Sequence, residues 1–380
     1  MKNILFVIES LQMGGAERSL LSLLNNLDYT CLNVDLMLFK RGGVQEKDLT
    51  DKVNIIDGQS INISGCERVR YKLARFFNFK KLHNAQMFWK IVRNKYKVYP
   101  TKYDIAIGWG QGFATYFTSE YICADKKYAW LNTDYRLAGY KIAVDYSLYK
   151  NFTKIVAVSE GAKKIFLNEL SKIEKKLDVG AIVNIIDIEN VETRSNEKYE
   201  HKFAVDKINI VSVGGLTNQK GWDFATDAAK KLKQQGHSIN WYVLGDGIKR
   251  TELEEQIKRN NVQDCFFLLG TIPNPYPYIK DCDIYVQTSR FEGLGRTIIE
   301  ASLLNKPIVT TNFPTAYGII EHEKTGLICE MNADSIAESV ERLINDKKLA
   351  DSFVDNLKQQ DKEKDKKNTL KQIYELFEIE

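Results

Sequence analysis

The sequence predicts an α/β protein built from two Rossmann-like, doubly wound domains that face each other across a cleft. Short apolar runs alternate with amphipathic stretches along the chain, and both halves open with a buried strand that enters a glycine-containing turn. The 380 residues provide for two domains at roughly 150 residues each. Apolar residues make up 44% and charged residues 27%, which excludes a disordered or collagen-like chain.

Eleven apolar runs are predicted to be strands, with helical periodicity between them. They are Ile4–Ile8, Val34–Phe39, Val53–Ile56, Ile105–Gly108, Tyr128–Leu131, Ile155–Val158, Ile208–Val213, Ile239–Leu244, Cys265–Leu269, Ile284–Val286 and Ile308–Thr310. This alternation is typical of parallel sheets that are covered on both faces. Ligands bind such sheets beyond the carboxyl ends of the strands, so the turns after Glu9 and Val213 are expected to face the cleft.

A polar stretch without clear periodicity, from about Glu189 to Asp206, is the best candidate for a linker between the domains. We therefore expect an N-terminal domain over residues 1–190 and a C-terminal domain over residues 205–363. A last helix within residues 364–380 is in a position to dock back onto the N-terminal domain.

The composition favours a reduced, cytoplasmic protein that is soluble or peripheral at the inner face of the cell membrane. The six cysteines are scattered without a C-x-x-C pair, so neither a disulfide framework nor a zinc site is indicated. The apolar run Ile4–Ile8 is too short for a signal peptide, and no run is long enough for a membrane-spanning helix. Asp281-Cys282-Asp283 has D-x-D spacing, but we interpret it as a helix end and a strand start, and we expect no metal site.

The densest group of chemically useful residues lies in 289–301, between a predicted strand and a helix. Glu292 and Glu300 are separated by about 12 Å of rise if the segment is helical. This separation is too large for two carboxylates acting on one glycosidic bond and fits two parts of one extended ligand. The glycines and the free amides of a helix start suit a phosphate group. Alternatively, Glu292 caps the helix and Glu300 is a solvated helix residue.

Segment 289–301 resembles the donor-binding signature of glycosyltransferase family 4. The other motifs that carry the resemblance are Asp283-Ile284-Tyr285-Val286, Lys306-Pro307-Ile308-Val309, Val213-Gly214-Gly215-Leu216, Gln219-Lys220-Gly221, Leu244-Gly245-Asp246-Gly247, Leu269-Gly270, Thr325-Gly326-Leu327 and Gly14-Gly15-Ala16-Glu17-Arg18. The resemblance covers nearly the whole chain and is most specific from about 208 to 330.

The resemblance implies a GT-B fold, with an acceptor-binding N-terminal domain and a donor-binding C-terminal domain. It implies a retaining, metal-independent hexosyl- or N-acetylhexosaminyltransferase that needs no cofactor. The donor would be a nucleotide diphosphate sugar, with UDP favoured by family habit. The acceptor would be a lipid-linked saccharide or another precursor of a cell-surface polysaccharide.

The resemblance also assigns roles to individual residues. Glu292 would contact the donor sugar, Lys220 the diphosphate, and Glu300 the ribose hydroxyls. Asn132 occupies a position near the donor sugar and the acceptor, and is the third predicted catalytic residue. The remaining predicted donor-binding residues are Gly14, Gly15, Gly215, Gly293, Leu294, Gly295, Arg296, Thr271 and Ile272.

Two positions depart from the family pattern. Gly215 stands where Arg is usual, so one diphosphate cation is missing and Arg296 is a candidate substitute. Asn132 stands where many relatives have His, and Asn does not accept a proton at neutral pH. A non-catalytic GT-B protein that binds a nucleotide sugar or a partner transferase is therefore a second hypothesis. A dinucleotide-dependent dehydrogenase is a third, although the G-x-G-x-x-G fingerprint is missing.

The net charge of +4 conceals a strongly basic segment. Residues 66–99 contain ten basic side chains and one acidic one, with apolar and aromatic residues at helical spacing. Such a pattern is typical of amphipathic helices on an anionic bilayer, and the predicted membrane contacts are Arg75, Lys80, Lys81, Trp89, Lys90 and Arg93. The alternative is a solvated face over ordinary core packing. Nucleic acid is disfavoured because no nucleic-acid-binding motif accompanies the charge.

Overall fold

The chain folds into two compact units. The computed structural model describes residues 1–12, 14–78, 81–200 and 203–379. Unit 1 comprises Met1–Ile186 and the chain from Asp365 onward, and unit 2 comprises Asp187–Lys364. Each unit contains one parallel sheet with helices, so the prediction of two α/β domains is confirmed.

Unit 1 contains a seven-stranded sheet. Its strands are β1 (Lys2–Ile8), β2 (Leu32–Leu38), β3 (Val53–Asp57), β4 (Lys102–Trp109), β5 (Cys123–Leu131), β6 (Lys154–Ala157) and β7 (Val179–Ala181). Its helices up to Ile186 are α1 (Gly15–Leu24), α2 (Gly65–Phe76), α3 (Asn84–Val92), α4 (Phe113–Tyr121), α5 (Ile142–Tyr149) and α6 (Glu160–Ser171). The strand order is β3-β2-β1-β4-β5-β6-β7, which reverses direction between β1 and β4.

Unit 2 contains a six-stranded sheet. Its strands are β8 (Ile208–Val213), β9 (Ile239–Leu244), β10 (Phe266–Gly270), β11 (Ile284–Gln287), β12 (Ile308–Thr311) and β13 (Leu327–Cys329). The helices are α7 (Ile188–Arg194), α8 (Trp222–Gln234), α9 (Arg250–Arg259), α10 (Tyr276–Asp281), α11 (Arg296–Leu303), α12 (Ala333–Asn345), α13 (Lys347–Lys358) and α14 (Lys362–Phe377), the last continuing into unit 1. The strand order is β10-β9-β8-β11-β12-β13, with its reversal between β8 and β11.

The eleven predicted strands all occur, and the two that the sequence pattern missed are β7 and β13. Both contain three residues, which is too short for periodicity to be detected. The segment predicted as a linker without clear periodicity contains most of α7 at its start. It lies with unit 2 because Asn274 Nδ2 donates to the Arg194 carbonyl (2.8 Å) and the Tyr199 hydroxyl donates to Asp281 Oδ2 (2.7 Å).

The final part of α14 packs into unit 1. Lys2 Nζ donates to the Phe377 carbonyl (2.6 Å), and the Tyr128 hydroxyl donates to the Leu376 carbonyl (2.9 Å). The Phe377 ring is buried, with its centroid 6.4 Å from that of Phe6 on β1. Among the described residues, no helix is long and apolar enough to cross a membrane, and this includes the 16-residue α14.

The basic segment forms two helices with opposite surroundings. On α3, Met87, Trp89 and Val92 are buried in the core of unit 1, whereas none of the residues of α2 is buried. The prediction that Trp89 contacts a membrane is wrong, because its side chain is only 3% exposed and its Nε1 donates to Glu120 Oε2 (3.0 Å). Lys80, another predicted contact, lies outside the described residues.

Candidate active site

The loops after β8 and β11 meet at the point where the strand order of unit 2 reverses. The strands pair in parallel, so their carboxyl ends lie along one edge of the sheet. In an open α/β sheet this reversal leaves a crevice between the two loops, and ligands bind there. The first loop contains the predicted donor-binding residue Gly215 and the predicted catalytic residue Lys220. The second contains the predicted catalytic residue Glu292 and the predicted donor-binding residues 293–295.

A short 3₁₀ turn, Asn218–Lys220, places Lys220 at the start of α8. Gly221 follows in the left-handed conformation (φ +64°), and a Cβ there would lie 2.1 Å from the Thr288 carbonyl oxygen. Only glycine permits this approach between the two loops. The Thr288 hydroxyl donates to the Lys220 carbonyl (2.8 Å), so the second loop also fixes the backbone of the first.

Arg290 clamps the same two loops together. Its guanidinium donates to Asp223 Oδ1 and Oδ2 at 2.8 and 2.5 Å, and its backbone N–H donates to the Gln219 carbonyl (2.7 Å). Burial acts to raise the pKa of Asp223, but the bonds from Arg290 outweigh it and the net shift is downward. Asp223 therefore stays ionised and holds Arg290 in an ion pair. The cation that faces Glu292 is Lys220.

Glu292 is a nearly buried carboxylate whose position is fixed by several donors. Lys220 Nζ lies 2.7 Å from Glu292 Oε1, and the same oxygen accepts from Ser289 Oγ (2.6 Å) and Gln287 Nε2 (2.9 Å). Its Oε2 accepts a longer bond from Gln219 Nε2 (3.4 Å). The ion pair neutralises the predicted catalytic cation and carboxylate, and Ser289 and Gln287 would still hold Glu292 if Lys220 moved to another anion.

Gln287 has an amide orientation that its neighbours determine. Its Oε1 accepts from the hydroxyls of Tyr285 (3.0 Å) and Thr297 (3.1 Å), so its Nε2 is turned toward Ser289 and Glu292. The sequence pattern assigned no role to Gln287 or Ser289. The signal was the alternation of side chains along β11, which puts both on one face beyond Tyr285, but only the structure shows that they converge on Glu292.

Glu300 is completely buried on α11. Its Oε1 accepts from Arg296 Nε (2.9 Å) and from the Tyr276 hydroxyl (3.2 Å), and its side chain is 0% exposed. Because the carboxylate is completely buried, the predicted bond from Glu300 to a ribose hydroxyl requires a local rearrangement that opens access to it. The guanidinium of Arg296 forms an ion pair with Glu300. The suggested role of Arg296 as a substitute cation for the diphosphate stays a prediction.

The other predicted donor contacts of unit 2 lie at the same edge of the sheet. Gly293, Leu294 and Gly295 lead into α11, and the backbone N–H groups of Leu294 and Gly295 bond to no group in the described part of the chain. Thr271 and Ile272 follow directly after β10, where Thr271 is exposed and Ile272 is half-buried. The structure thus presents amide donors and a polar strand end, as a nucleotide ligand requires.

In unit 1, Gly14 and Gly15 begin α1 after β1. The Glu17 carboxylate folds back over Gly14, so a Cβ at Gly14 would lie within 3 Å of all three carboxylate atoms. Burial, with a smaller contribution from the negative charge of Glu9, raises the pKa of Glu17. Glu17 therefore covers the helix start whose amides were predicted to assist the donor, and a role of these amides in donor binding stays a prediction.

Asn132, directly after β5, belongs to a relay of three side chains. Trp130 Nε1 donates to Asn184 Oδ1 (2.9 Å), and Asn184 Nδ2 donates to Asn132 Oδ1 (3.0 Å). An indole N–H only donates, so Trp130 fixes the amide of Asn184, which in turn fixes that of Asn132. The Asn132 Nδ2 is thereby directed away from Asn184, buried and without a hydrogen-bond partner among the described residues. A ligand oxygen would satisfy this donor.

Asn184 is a residue that sequence patterns did not indicate, because it lies 52 positions from Asn132.

The residues 281–283 are a helix end and a strand start, as predicted: the Asp283 carboxylate accepts from the Asn209 backbone N–H (2.7 Å), and the Cys282 thiol is buried. Burial raises the pKa of Cys282 to about 12. Within the described ranges, no three His, Cys, Asp or Glu side chains are grouped as a metal site.

Residues 193–360 match the family model of the glycosyl transferases group 1. The chain is 30% identical over 174 residues to an uncharacterized glycosyltransferase of Methanocaldococcus jannaschii, covering 44% of this chain and 42% of that protein. It is 28% identical over 221 residues to a Campylobacter jejuni N-acetylgalactosamine-N,N'-diacetylbacillosaminyl-diphospho-undecaprenol 4-alpha-N-acetylgalactosaminyltransferase, covering 58% of each chain. It is 29% identical over 215 residues to the capsular polysaccharide biosynthesis glycosyltransferase CapM of Staphylococcus aureus, covering 54% and 55%. The chain thus spans about half the length of the curated relatives it matches.

The fold resembles that of solved glycosyltransferases. Anabaena HepE, crystallised with UDP and glucose, superposes with a TM-score of 0.72 at 17% identity over 100% of both chains. A TarM variant of Staphylococcus aureus superposes with a TM-score of 0.69 at 14% identity, over 97% of this chain and 100% of that one. Residues 193–360 are therefore similar to the glycosyl transferases group 1, and the two α/β units of the chain have the GT-B fold.

Proposed function

We propose that the protein is a retaining glycosyltransferase that moves a sugar from a nucleotide diphosphate sugar, with UDP favoured, to a lipid-linked or cell-surface polysaccharide acceptor. The observation that carries the proposal is the Lys220–Glu292 pair, held between two loops at the reversal point of the sheet, in the segment that matches the group 1 model. A diphosphate and a sugar hydroxyl are the groups that a lysine and a carboxylate recognise at such an edge.

In the proposed reaction the donor diphosphate replaces Glu292 as the partner of Lys220. The bond between the sugar C1 and the phosphate oxygen breaks, and the negative charge that grows on the phosphate is stabilised by the ammonium group of Lys220. The acceptor oxygen bonds to C1 on the same face, and its proton passes to the departing phosphate. Glu292, still held by Ser289 and Gln287, accepts hydrogen bonds from hydroxyls of the donor sugar.

The proposal gives Asn132 the role of a hydrogen-bond donor. Its oxygen is occupied by Asn184, and its Nδ2 is the group left for a ligand. A donor is sufficient if the departing phosphate takes the acceptor proton, because no protein base is then required at this position. The mechanism consequently tolerates Asn where many family members have His, and it uses no metal.

We further propose that the enzyme works as a peripheral protein at the cytoplasmic face of the cell membrane. The names of two relatives support this, since one acts on a diphospho-undecaprenol-linked acceptor and the other takes part in capsular polysaccharide biosynthesis. The exposed basic residues of α2 add support from the chain itself. The structures of HepE and TarM with bound UDP favour uridine in the donor.

The test uses calorimetric titration of the protein with UDP and with 2′-deoxy-UDP. One charge-assisted bond to a ribose hydroxyl contributes about 1.5–3 kcal/mol, so the wild-type protein should bind UDP roughly tenfold to a hundredfold more tightly than its deoxy analogue. Glu300→Gln should reduce this preference to a few-fold, whereas Glu338→Gln, an exposed carboxylate on α12, should leave it unchanged.

Equal discrimination by wild type and Glu300→Gln would contradict the ribose role of Glu300. Failure of the wild type to bind any nucleotide in a panel of diphosphate sugars would contradict the proposed function itself. Retention is checked separately by the anomeric coupling constants of the product in an NMR spectrum. An inverted linkage relative to the donor would contradict that part of the proposal.

A second candidate is a non-catalytic protein that binds a nucleotide sugar or a partner transferase. Gly215 favours it, because it removes one cation from the predicted diphosphate site. A Cβ at Gly215 would meet its nearest neighbour, the Asp246 carbonyl oxygen, at an ordinary 3.6 Å, so Gly215→Arg should fold. Tight donor binding without turnover, in the wild type and in Gly215→Arg combined with Asn132→His, would identify the binding protein.

A further inference from the structure

Helix α2 turns an apolar stripe away from the rest of unit 1. Val69, Leu73 and Phe76 are 54%, 50% and 82% exposed. At about 100° per residue these three side chains lie within about 60° of one another around the helix. Tyr71 and Ala74 lie on the opposite side and are half-buried, and the Tyr71 ring contacts that of Phe88 on α3 (5.7 Å between centroids). The helix therefore packs against unit 1 through the side that carries Tyr71 and Ala74. No described residue covers the opposite side, which carries the apolar stripe.

The exposure of this stripe is not the result of a poorly formed helix end. Ser64 and Glu67 form a capping box, in which the Glu67 backbone N–H donates to Ser64 Oγ (3.3 Å) and the Ser64 N–H donates to Glu67 Oε2 (2.8 Å). Lys95 Nζ pairs with the same carboxylate (2.6 Å) and also donates to the Asn62 carbonyl (2.6 Å). The helix start is thus fixed to unit 1, and the one acidic residue of α2 is already neutralised.

Basic residues flank the apolar stripe on both sides. Arg70 follows it on one side, and Arg68, Lys72 and Arg75 follow on the other, at about 100° per residue. All four are exposed, and none has a carboxylate partner among the described residues. An apolar stripe bordered by cations that lack carboxylate partners matches an anionic bilayer, in which acyl chains lie below a layer of negative headgroups.

We propose that α2 docks the protein on an anionic lipid bilayer, with Val69, Leu73 and Phe76 entering the headgroup–acyl boundary and the flanking Arg and Lys residues contacting the headgroups. The proposal rests on the proposed function, since a lipid-linked acceptor lies in such a bilayer. A second copy of α2 is a poor partner for this surface, because the four basic residues of one copy would repel the four of the other. The surface defined by Val69, Leu73, Phe76 and the four flanking cations is called the α2 surface below.

The α2 surface differs from the one that the sequence pattern predicted. The sequence pattern predicted membrane contacts on both helices of the basic segment. The apolar residues of α3, however, are buried in the core of unit 1. Of the residues predicted as contacts, Arg75 belongs to the α2 surface, and Arg93 pairs with Glu120 (2.9 Å). Docking thus depends on the helix whose apolar side is uncovered.

The first experiment measures co-sedimentation with phosphatidylcholine vesicles that contain one third phosphatidylglycerol, and with vesicles of phosphatidylcholine alone. The wild-type protein should bind the anionic vesicles at least tenfold more tightly. Leu73→Ser combined with Phe76→Ser should weaken this binding at least tenfold, and Arg68→Gln, Arg70→Gln and Lys72→Gln together should remove the preference for anionic lipid. Val205→Ser, an exposed apolar residue of unit 2, and the triple variant Lys347→Gln, Lys348→Gln, Lys364→Gln should bind as the wild type does.

A second measurement reports insertion directly. All five native tryptophans are at most 4% exposed, so a tryptophan at position 76 would be the exposed one. The emission of Phe76→Trp should shift to the blue on vesicles and be quenched by brominated acyl chains. Val205→Trp, the matched control on unit 2, should show neither effect.

Three outcomes overturn the proposal. They are no binding of the wild type to anionic vesicles, unchanged binding of the double serine variant, and a dimer in solution that this variant abolishes without any vesicle binding. UDP titration of the same variants separates this proposal from the proposed function. Loss of vesicle binding with unchanged UDP affinity supports docking through α2, and vesicle binding without UDP affinity supports docking while contradicting the glycosyltransferase function.

Discussion

The amide of Asn132 is oriented by a tryptophan through an intervening asparagine. Because Trp130 can only donate, the chain of bonds through Asn184 decides which end of the Asn132 amide is presented to a ligand. Had the relay begun with a hydroxyl, either orientation would be allowed. This side chain therefore supplies a hydrogen to its ligand and has no lone pair available there for accepting one.

Substitutions of Asn132 test whether its side chain acts as a hydrogen-bond donor to the ligand. Asn132→Ala should lower kcat/KM about fivefold, the loss expected for one hydrogen bond of about 1 kcal/mol. Asn132→Asp should lower it roughly a hundredfold, because a carboxylate only accepts and its charge repels a phosphate or sugar oxygen. Steady-state kinetics with the donor and a lipid-linked acceptor analogue would measure both.

Asn168→Asp, an exposed amide on α6, serves as the matched control for the added charge. Asn184→Leu should lower kcat/KM by about as much as Asn132→Ala, although Asn184 touches no ligand in the proposed reaction, because the Asn132 amide would then rotate freely. Activity of Asn132→Asp close to that of the wild type would contradict the donor role.

At the scale of elements, α2 and α3 show where sequence reasoning reaches its limit. The sequence pattern predicts that each helix has an apolar face, and this is correct. It does not show what covers that face, because the cover comes from strands and helices distant in the chain: Trp89 of α3 packs against Phe113 and Tyr116 of α4. The predicted strands all occur because a strand that is buried on both faces is a continuous apolar run. Such a run can be recognised without knowing which elements pack against it.

The start of α3 should be sensitive to acid. The Ala85 backbone N–H donates to His83 Nδ1 (3.2 Å), which requires that nitrogen to be unprotonated. Burial lowers the pKa of His83, so the unfolded chain binds the proton more readily than the folded one. The stabilisation is present above the unfolded value of about 6.5 and is lost as the pH falls through the folded value. We therefore expect the wild-type protein to lose stability as the pH falls from about 7.5 to about 5.5.

His83→Asn keeps an oxygen that caps the helix and does not titrate. Urea unfolding of the wild type and His83→Asn at both pH values isolates the contribution of His83 as the difference between them. The wild type should lose more stability on acidification than the variant. Equal losses would show that His83 protonation is not linked to folding.

At the scale of the whole molecule, each unit has its own sheet and core. The parallel pairing of the strands in both sheets follows from the alternation of strands and helices, which the sequence shows. The partners of Glu292 and Asn132 do not follow from it. They come from Gln287, Ser289 and Asn184, whose side chains converge only after the strands are in register.

Calorimetric unfolding should show two transitions that respond to different changes. Phe377→Ala should lower the midpoint of the unit 1 transition through a loss of about 3 kcal/mol, since it empties a fully buried site, and Phe353→Ala should do the same to unit 2. UDP at a hundred times its dissociation constant should stabilise the unit 2 transition alone, by about 2.7 kcal/mol. A single transition, or a shift of both by either substitution, would contradict this assignment.

The ion pair between Lys220 and Glu292 also bears on which cellular anions the protein ignores. A cell holds a large pool of inorganic phosphate and other nucleotides, and an unpaired lysine at the edge of a sheet would collect them. Here any such anion must first separate Lys220 from a carboxylate 2.7 Å away, in surroundings with little water to screen the charges. Only a ligand that adds contacts of its own, to the amides before α11 and to the residues after β10, offsets that separation. The resting site is therefore selective before any substrate arrives.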